Sequence, residues 1–256
     1  MRRLVRILLA RFFAIVPKRY RYTAARYVSI VGAPIAWFFA PRDWRDLNSG
    51  VTIALWAVLR AMNRDEIEFD FPVDVEGVDI LDEAQQRGRG IMLVTAHFRM
   101  NTTLGVWLRN RGWRFHAIRA DPEERIFLTG TRDKLPYFLR SPHVLLQVRA
   151  ALAAGELVYV AADSAEPVTH GFTIGDLHIS DAAPRLAARW GTSMAYLETY
   201  VDRRGFIHAK ITRGTADDLR AMFEKWLRVS QWGAGASPAR TGEGAGAPPS
   251  TETGSS

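Results

Sequence analysis

Gly88-Arg-Gly-Ile-Met-Leu-Val-Thr-Ala-His-Phe-Arg-Met-Asn-Thr102 is the stretch from which the architecture can be read. Ile91 to Thr95 is a five-residue uncharged run entered through Gly88 and Gly90 and followed by Ala96 and then a polar, basic segment. A short continuous apolar run between breakers reads as a strand buried on both faces, the habit of parallel strands covered by helices. The strand is expected over Ile91 to His97, and Asn101 to Asn110 follows as a helix. His97 then lies at the carboxyl end of a buried strand, the edge where open α/β sheets place their ligands and reactive groups. Taken alone, a histidine there is either a satisfied structural residue or a general base, and both readings stay open.

The alternation continues outward. Downstream, strands are expected at Phe115 to Arg119, Leu157 to Ala162, Ser193 to Val201 and His208 to Arg213, with helices around Glu123 to Leu128, at Val144 to Ala154 and at Asp181 to Trp190. Upstream, Val51, Leu55, Val58, Leu59 and Met62 recur at helical spacing within residues 47 to 66, Ile67 to Val75 alternates as a strand would, and Leu81 to Gln86 reads as a short helix. Alternating elements of this kind imply an α/β fold, a mostly parallel sheet flanked by helices, and right-handed crossovers gather the strand carboxyl ends on one edge. This body is expected over 47–232. From Gly233 to Ser256 the chain is mainly Gly, Ala, Ser, Pro and Thr and reads as a disordered low-complexity tail.

The charge is unevenly placed. The chain holds 34 Lys/Arg against 27 Asp/Glu, but residues 1–46 alone hold ten bases (from Arg2 to Arg45) against Asp43 and Asp46, which leaves 24 bases and 25 acids for the rest. The basicity therefore belongs to the amino-terminal segment. There the bases are interleaved with Leu4, Val5, Ile7 to Leu9, Phe12, Phe13, Ile15, Val16 and then Val28 to Ala40. These runs are shorter than the roughly 20 residues needed to span a bilayer. Two amphipathic helices lying in a membrane interface are expected, split near Pro17 and broken again at Gly32 and Pro34. Arg2, Arg3 and Arg6 share one face of the first, while Arg11 would have to snorkel. Core helices covered by the body are the competing reading. A cleaved signal peptide fits poorly, because Arg11 interrupts the apolar run and no small-x-small site follows closely. A nucleic-acid arm fits worse, since the bases are embedded among large aliphatic residues and the body carries almost no net charge.

Several chemistries find no support. With no cysteine there is no thiol nucleophile, disulfide or thiolate metal site. His116, His143, His170, His178 and His208 show no metal-ligand spacing, and neither a Gly-x-Ser-x-Gly elbow nor a phosphate-binding glycine loop is present.

Read together, Gly88 to Phe98 resembles the catalytic strand of the lipid A biosynthesis lauroyl/myristoyl acyltransferases, within the glycerolipid-acyltransferase-like superfamily. Their motif is a glycine-rich entry, an apolar strand and His-Phe-Gly-Asn-Trp-Glu. The likeness continues in register: Ala117-Ile-Arg-Ala-Asp-Pro122 resembles the family's next strand, which ends in arginine. Leu152 to Asp163 resembles its Leu-x-x-Gly-x-x-Val strand ending in aspartate, Phe172 to Gly175 its Phe-Phe-Gly loop, and Ala183 to Thr192 its Leu-Ala-x-x-x-Gly helix. The resemblance covers roughly residues 80 to 213.

The resemblance implies transfer of a fatty acyl chain from acyl carrier protein or coenzyme A thioester to a hydroxyl of a glycolipid, without a further cofactor, at the cytoplasmic face of the bacterial inner membrane. His97 would be the general base and Arg119 would stabilise the oxyanion, its alternative being a solvated or phosphate-binding arginine. The family's carboxylate position is Thr102 here, and only His97 and Phe98 match that six-residue motif. Either another acid orients the imidazole, with Asp121, Glu124, Asp163 and Glu166 as candidates, or the protein is a non-catalytic relative that binds lipid or a partner enzyme. Asp163 is open to two further readings, a cap of the following loop or part of an acceptor pocket. The family's Pro-Glu-x-Trp-x-Trp segment has no clear counterpart beyond Trp226 and Trp232.

Overall fold

The protein is described by a computed structural model covering residues 2–40, 45, 48–119, 131, 133–164 and 166–232. Its centre is β2 (Ile91–Thr95), every residue of which is buried. On one side it pairs in parallel with β5 (Leu157–Ala161), from Ile91↔Leu157 to Thr95↔Ala161, and on the other with β9 (Ser193–Val201). Beyond β5 come β3 (Phe115–Arg119) and β4 (Tyr137–Leu139), both parallel to it. Beyond β9 come β10 (Ile207–Arg213), antiparallel, and β1 (Val73–Glu76), parallel to β10. The order β1-β10-β9-β2-β5-β3-β4 makes a mixed but mostly parallel sheet, as alternating strands and helices require. The carboxyl ends of β9, β2, β5, β3 and β4 lie along one edge.

Helices cover both faces. Ile91 and Leu93 pack with Ile80 and Leu81 of α4 (Val78–Gln86) and with Leu104 and Leu108 of α5 (Asn101–Asn110). Met92 and Val94 point the other way. They join Val148 and Leu152 of α6 (Val144–Ala153), Ala187 of α7 (Ala182–Trp190), and Phe223 and Trp226 of α8 (Leu219–Trp232). Burial on both sides is why β2 shows no polar alternation. Gly90, just before it, is a position only glycine can fill. Its N–H donates to Leu152 O at 2.9 Å, and a Cβ there would lie 2.4 Å from Glu156 O and 2.5 Å from Leu152 O.

Ahead of the sheet, α1 (Arg2–Ile15), α2 (Lys18–Phe39) and α3 (Gly50–Arg64) form a helical layer with its own core of Phe13, Tyr22, Leu55, Leu59 and Met62, closed by Met100, Val201 and Ile207. The layer is tied to the β9–β10 turn: Tyr22 Oη donates to Gly205 O at 2.9 Å, and Arg26 donates to Arg204 O through Nε and Nη2. The expected break at Gly32 and Pro34 does not occur. Proline there removes one helical hydrogen bond, and the close seating of α2 on α3 at Ala33 and Trp37, beside Gly50, holds the helix in one piece. Each amino-terminal helix buries one stripe and exposes another: Ile15 is 84% and Val31 81% exposed, and Phe12, Ile35, Phe38 and Phe39 are also at the surface. No helix among the described residues is long and apolar enough to cross a membrane.

The expected strand over Ile67 to Val75 shrinks to β1. The alternating Ile67, Phe69 and Phe71 belong instead to an irregular segment whose apolar side chains pack under α1–α3, while Arg21 Nη1 donates to Glu68 O at 2.6 Å. Two features were not expected: the edge strand β4, and a three-stranded antiparallel sheet of β6 (Asp163–Ser164), β8 (Leu177–Ser180) and β7 (Gly171–Ile174). The stretch likened to a Phe-Phe-Gly loop is thus β7 and its turn. Trp226 and Trp232, the only residues set against the family's Pro-Glu-x-Trp-x-Trp segment, lie on α8, and Trp226 enters the core. The expected helix around Glu123 to Leu128 and the tail from Gly233 lie outside the described residues.

Candidate functional site

The paired residues Thr95 and Ala161 are the last of β2 and β5. Two residues beyond each come His97 and Asp163, so two neighbouring parallel strands deliver them to the same level of the sheet edge, on the face covered by α5. The residues meet. Asp163 Oδ1 accepts from the His97 backbone N–H at 2.8 Å and lies 3.0 Å from His97 Nδ1. The carboxylate side chain is 6% exposed and the imidazole 61% exposed. A buried acid thus stands beside an accessible histidine, and a carboxylate at that nitrogen favours the tautomer with its proton on Nδ1 and its lone pair on Nε2.

The loop carrying His97 is held from several directions. Ala162 N–H donates to Thr95 O at 2.8 Å, and Thr95 Oγ1 donates to Leu197 O at 2.7 Å. Phe98 N–H turns back to Ala96 O at 2.7 Å. The Phe98 ring goes inward, edge-on to Trp226 at 5.2 Å, and Trp226 in turn meets Phe223 and Tyr196. Arg99 N–H donates to Oδ1 of buried Asn48 at 3.1 Å, and its guanidinium lies over the Trp56 ring.

Asn101, at the first position of α5, is the residue that the sequence reading missed. Its Nδ2 donates to Ala96 O at 2.8 Å, its Oδ1 accepts from Thr199 Oγ1 at 2.8 Å, and its backbone O accepts from Tyr159 Oη at 3.0 Å. One amide therefore links the helix, the His97 loop and β9, with β5 joined through the main chain. The signal was available in the side chain itself, since Asn at a helix start bonds readily to nearby backbone. Burial holds the Tyr159 hydroxyl well above its ordinary ionisation range, so it stays a neutral donor.

The other sequence-predicted residues are spread out. Thr102 is the second residue of α5 and half-buried; among the candidate acids, the one beside His97 is Asp163. Arg119 ends β3, two strands from β2, a separation of roughly 10 Å at ordinary strand spacing. Its guanidinium lies 4.8 Å from the Tyr137 ring centroid, turned toward β4, on the far side from His97. Glu166 is exposed in the loop after β6, its N–H bonded to Ser164 Oγ. Asp121 and Glu124 lie outside the described residues.

A second buried carboxyl, Glu198 on β9, faces the opposite side of the sheet. Burial pushes its pKa up, against the opposing pull of Lys225, Lys210 and Trp226. No group of three His, Asp or Glu side chains among the described residues has metal-binding geometry. What the edge offers chemically is an exposed imidazole beside a buried carboxylate, an arrangement able to take a proton from a hydroxyl and return it to a leaving group. Comparison with models of known protein families gave no match, and neither did comparison with curated proteins.

Proposed function

We propose that this protein is an acyltransferase, moving a fatty acyl chain from an acyl carrier protein or coenzyme A thioester to a hydroxyl of lipid A or a related glycolipid. The observation that carries the reading is the contact of 3.0 Å between His97 Nδ1 and Asp163 Oδ1, with the imidazole open to solvent. It supports the catalytic reading over a non-catalytic relative, since an acid stands beside His97 although position 102 carries none. The residues resembling the lauroyl/myristoyl acyltransferases, from Gly88 through Thr192, supply the reaction class.

In this mechanism His97 Nε2 removes the proton of the acceptor hydroxyl as that oxygen attacks the thioester carbonyl. The imidazolium is stabilised by Asp163. Collapse of the tetrahedral intermediate breaks the C–S bond, and the departing sulfur takes the proton back from Nε2. Direct transfer needs no nucleophile from the protein. The Arg119 guanidinium lies over the Tyr137 ring, and this mechanism assigns it no step.

The site of action in this proposal is the cytoplasmic face of a bacterial inner membrane. The exposed stripe of Phe12, Ile15, Val31, Ile35 and Phe38 on helices rich in Arg and Lys supports interfacial seating, with apolar side chains among the acyl chains and bases toward anionic headgroups. The test is acyl transfer from acyl carrier protein thioester to membrane glycolipid. His97→Ala is expected to lose about 10²- to 10⁴-fold in rate, and wild-type transfer by that variant would remove the mechanism.

A further inference from the structure

The direction in which His97 points is prepared by its backbone, and a side chain from α5 holds part of that backbone. The Ala96 carbonyl and the His97 N–H belong to one planar peptide unit and point in opposite directions. Asp163 Oδ1 accepts from the N–H at 2.8 Å, and Asn101 Nδ2 donates to the carbonyl at 2.8 Å. One plane is thus gripped at both ends, from β6 and from α5. Phe98 N–H donates to the same carbonyl at 2.7 Å and closes a three-residue turn centred on His97. With the plane held and the turn closed, both soft dihedrals of His97 are constrained, and the direction of its Cα–Cβ bond follows.

The donors to Ala96 O are not equivalent. Phe98 N–H belongs to the loop and moves with it, while Thr95 Oγ1, 3.2 Å from that oxygen, makes its shorter bond to Leu197 O at 2.7 Å. Asn101 instead begins a ten-residue helix whose Leu104 and Leu108 are buried against β2. Its amide has one workable orientation. A carbonyl can only accept, so the NH2 end must face Ala96, and this turns Oδ1 to Thr199 Oγ1, which donates at 2.8 Å from a buried position on β9. Tyr159 Oη, from β5, donates to Asn101 O at 3.0 Å. Both strands that flank β2 therefore fix the residue that fixes the His97 peptide. The side-chain bonds run out of α5 to the His97 loop and to β9, so capping the helix is not what they serve.

We propose that Asn101 is a positioning residue for His97: its amide, oriented by Thr199, fixes the peptide between residues 96 and 97 and so aims the imidazole along the sheet edge beside Asp163. That this aim serves catalysis rests on the acyl-transfer reading; the fixing of the peptide does not. Asn101 itself takes no proton and touches no reacting atom.

The experiment uses the full chain in neutral detergent, labelled with ¹³C and ¹⁵N in histidine alone, with the His97 signals identified by their loss in His97→Ala. Three-bond couplings from the backbone N and C′ to Cγ read the χ1 rotamer of each histidine. His116, whose ring is stacked on Phe138 and bonded to Glu156, is the control for general loosening. Wild type is expected to hold His97 in one rotamer. Asn101→Ala should average the His97 couplings and leave those of His116 unchanged. Thr199→Val, which keeps the shape without the hydroxyl, should move His97 the same way, and Thr199→Ser, which keeps the hydroxyl, should restore it. In acyl transfer, Asn101→Ala should lower kcat about ten- to hundredfold with KM within about twofold, because misdirecting a reacting group costs rate and not binding. If Asn101→Ala fails to fold, the Thr199 pair decides, through the loss in Val and the recovery in Ser. Averaged couplings already in wild type, an unmoved His97 rotamer in Asn101→Ala, averaging of His97 and His116 together, or a rise in KM with kcat unchanged overturns the positioning role. Absence of transfer by wild type, or full transfer by His97→Ala, overturns the acyl-transfer reading instead, and the couplings still decide whether Asn101 aims the ring.

Discussion

Replacing Asp163 by Asn removes one negative charge while keeping size and shape, and its effect on acyl transfer can be worked from the site geometry. Asp163 Oδ1 accepts from the His97 backbone and lies 3.0 Å from Nδ1, so the charge it presents to a developing imidazolium is close and fixed. A unit pair at 3.0 Å is worth about 5.5 kcal/mol at an effective dielectric of 20 and about 1.4 kcal/mol in bulk water. The carboxylate is buried but the imidazole is 61% exposed, which places the interaction between those limits, at about 3 kcal/mol. That corresponds to a fall of about two orders of magnitude in kcat/KM. It is smaller than the roughly 10⁴-fold known for the fully buried aspartate of serine proteases. The assay is acyl transfer across pH, with circular dichroism to verify the fold. Asp163→Asn with a rate within threefold of wild type would refute the proposed pairing as a catalytic one.

Four other outcomes are expected. Thr102→Glu should raise transfer by no more than about twofold, since Asp163 already occupies Nδ1; a large gain would show that an acid at 102 is the one the site lacks. Gly90→Ala should cost about 2–4 kcal/mol in urea unfolding, because its Cβ would meet main-chain atoms of Leu152 and Glu156; an unchanged midpoint would contradict the packing. Glu198→Gln should stabilise the protein at neutral pH relative to acid. Burial raises the folded-state pKa of Glu198, so its neutral form contributes stability below about pH 4.5, and that contribution is lost as pH rises through the folded value. The variant's advantage should therefore be absent at pH 4 and present at pH 7.5, measured by chemical unfolding. Val31→Asp combined with Ile35→Asp should weaken flotation with anionic vesicles by about tenfold or more without changing the helical signal, as both side chains are exposed; undiminished binding would place the lipid contact elsewhere.

The elements read most directly from sequence were those whose pattern had one cause. Asn101–Asn110, Phe115–Arg119 and Ser193–Val201 appear where their breakers and apolar residues place them. The misreadings came where one pattern serves two structures. Ile67, Phe69 and Phe71 alternate like a strand because they pack under a helical layer, and Pro34 reads as a breaker although α2 continues through it on the surface of α3. The short strands β4, β6, β7 and β8 were not legible, because two to four residues carry too little periodicity and depend on their partners.

The position of His97 follows from local sequence. A buried run entered through glycine and followed by a helix ends at the functional edge of an α/β sheet whatever the remainder of the chain does. Its partner was only one of four candidate acids, because the distance between residues 97 and 163 depends on which strands are neighbours and in what register. The pairing of Thr95 with Ala161 brings Asp163 to the imidazole, and the same tertiary arrangement turns Arg119 toward Tyr137. Local sequence sets where a strand ends, while only long-range pairing decides which charged group stands beside that end.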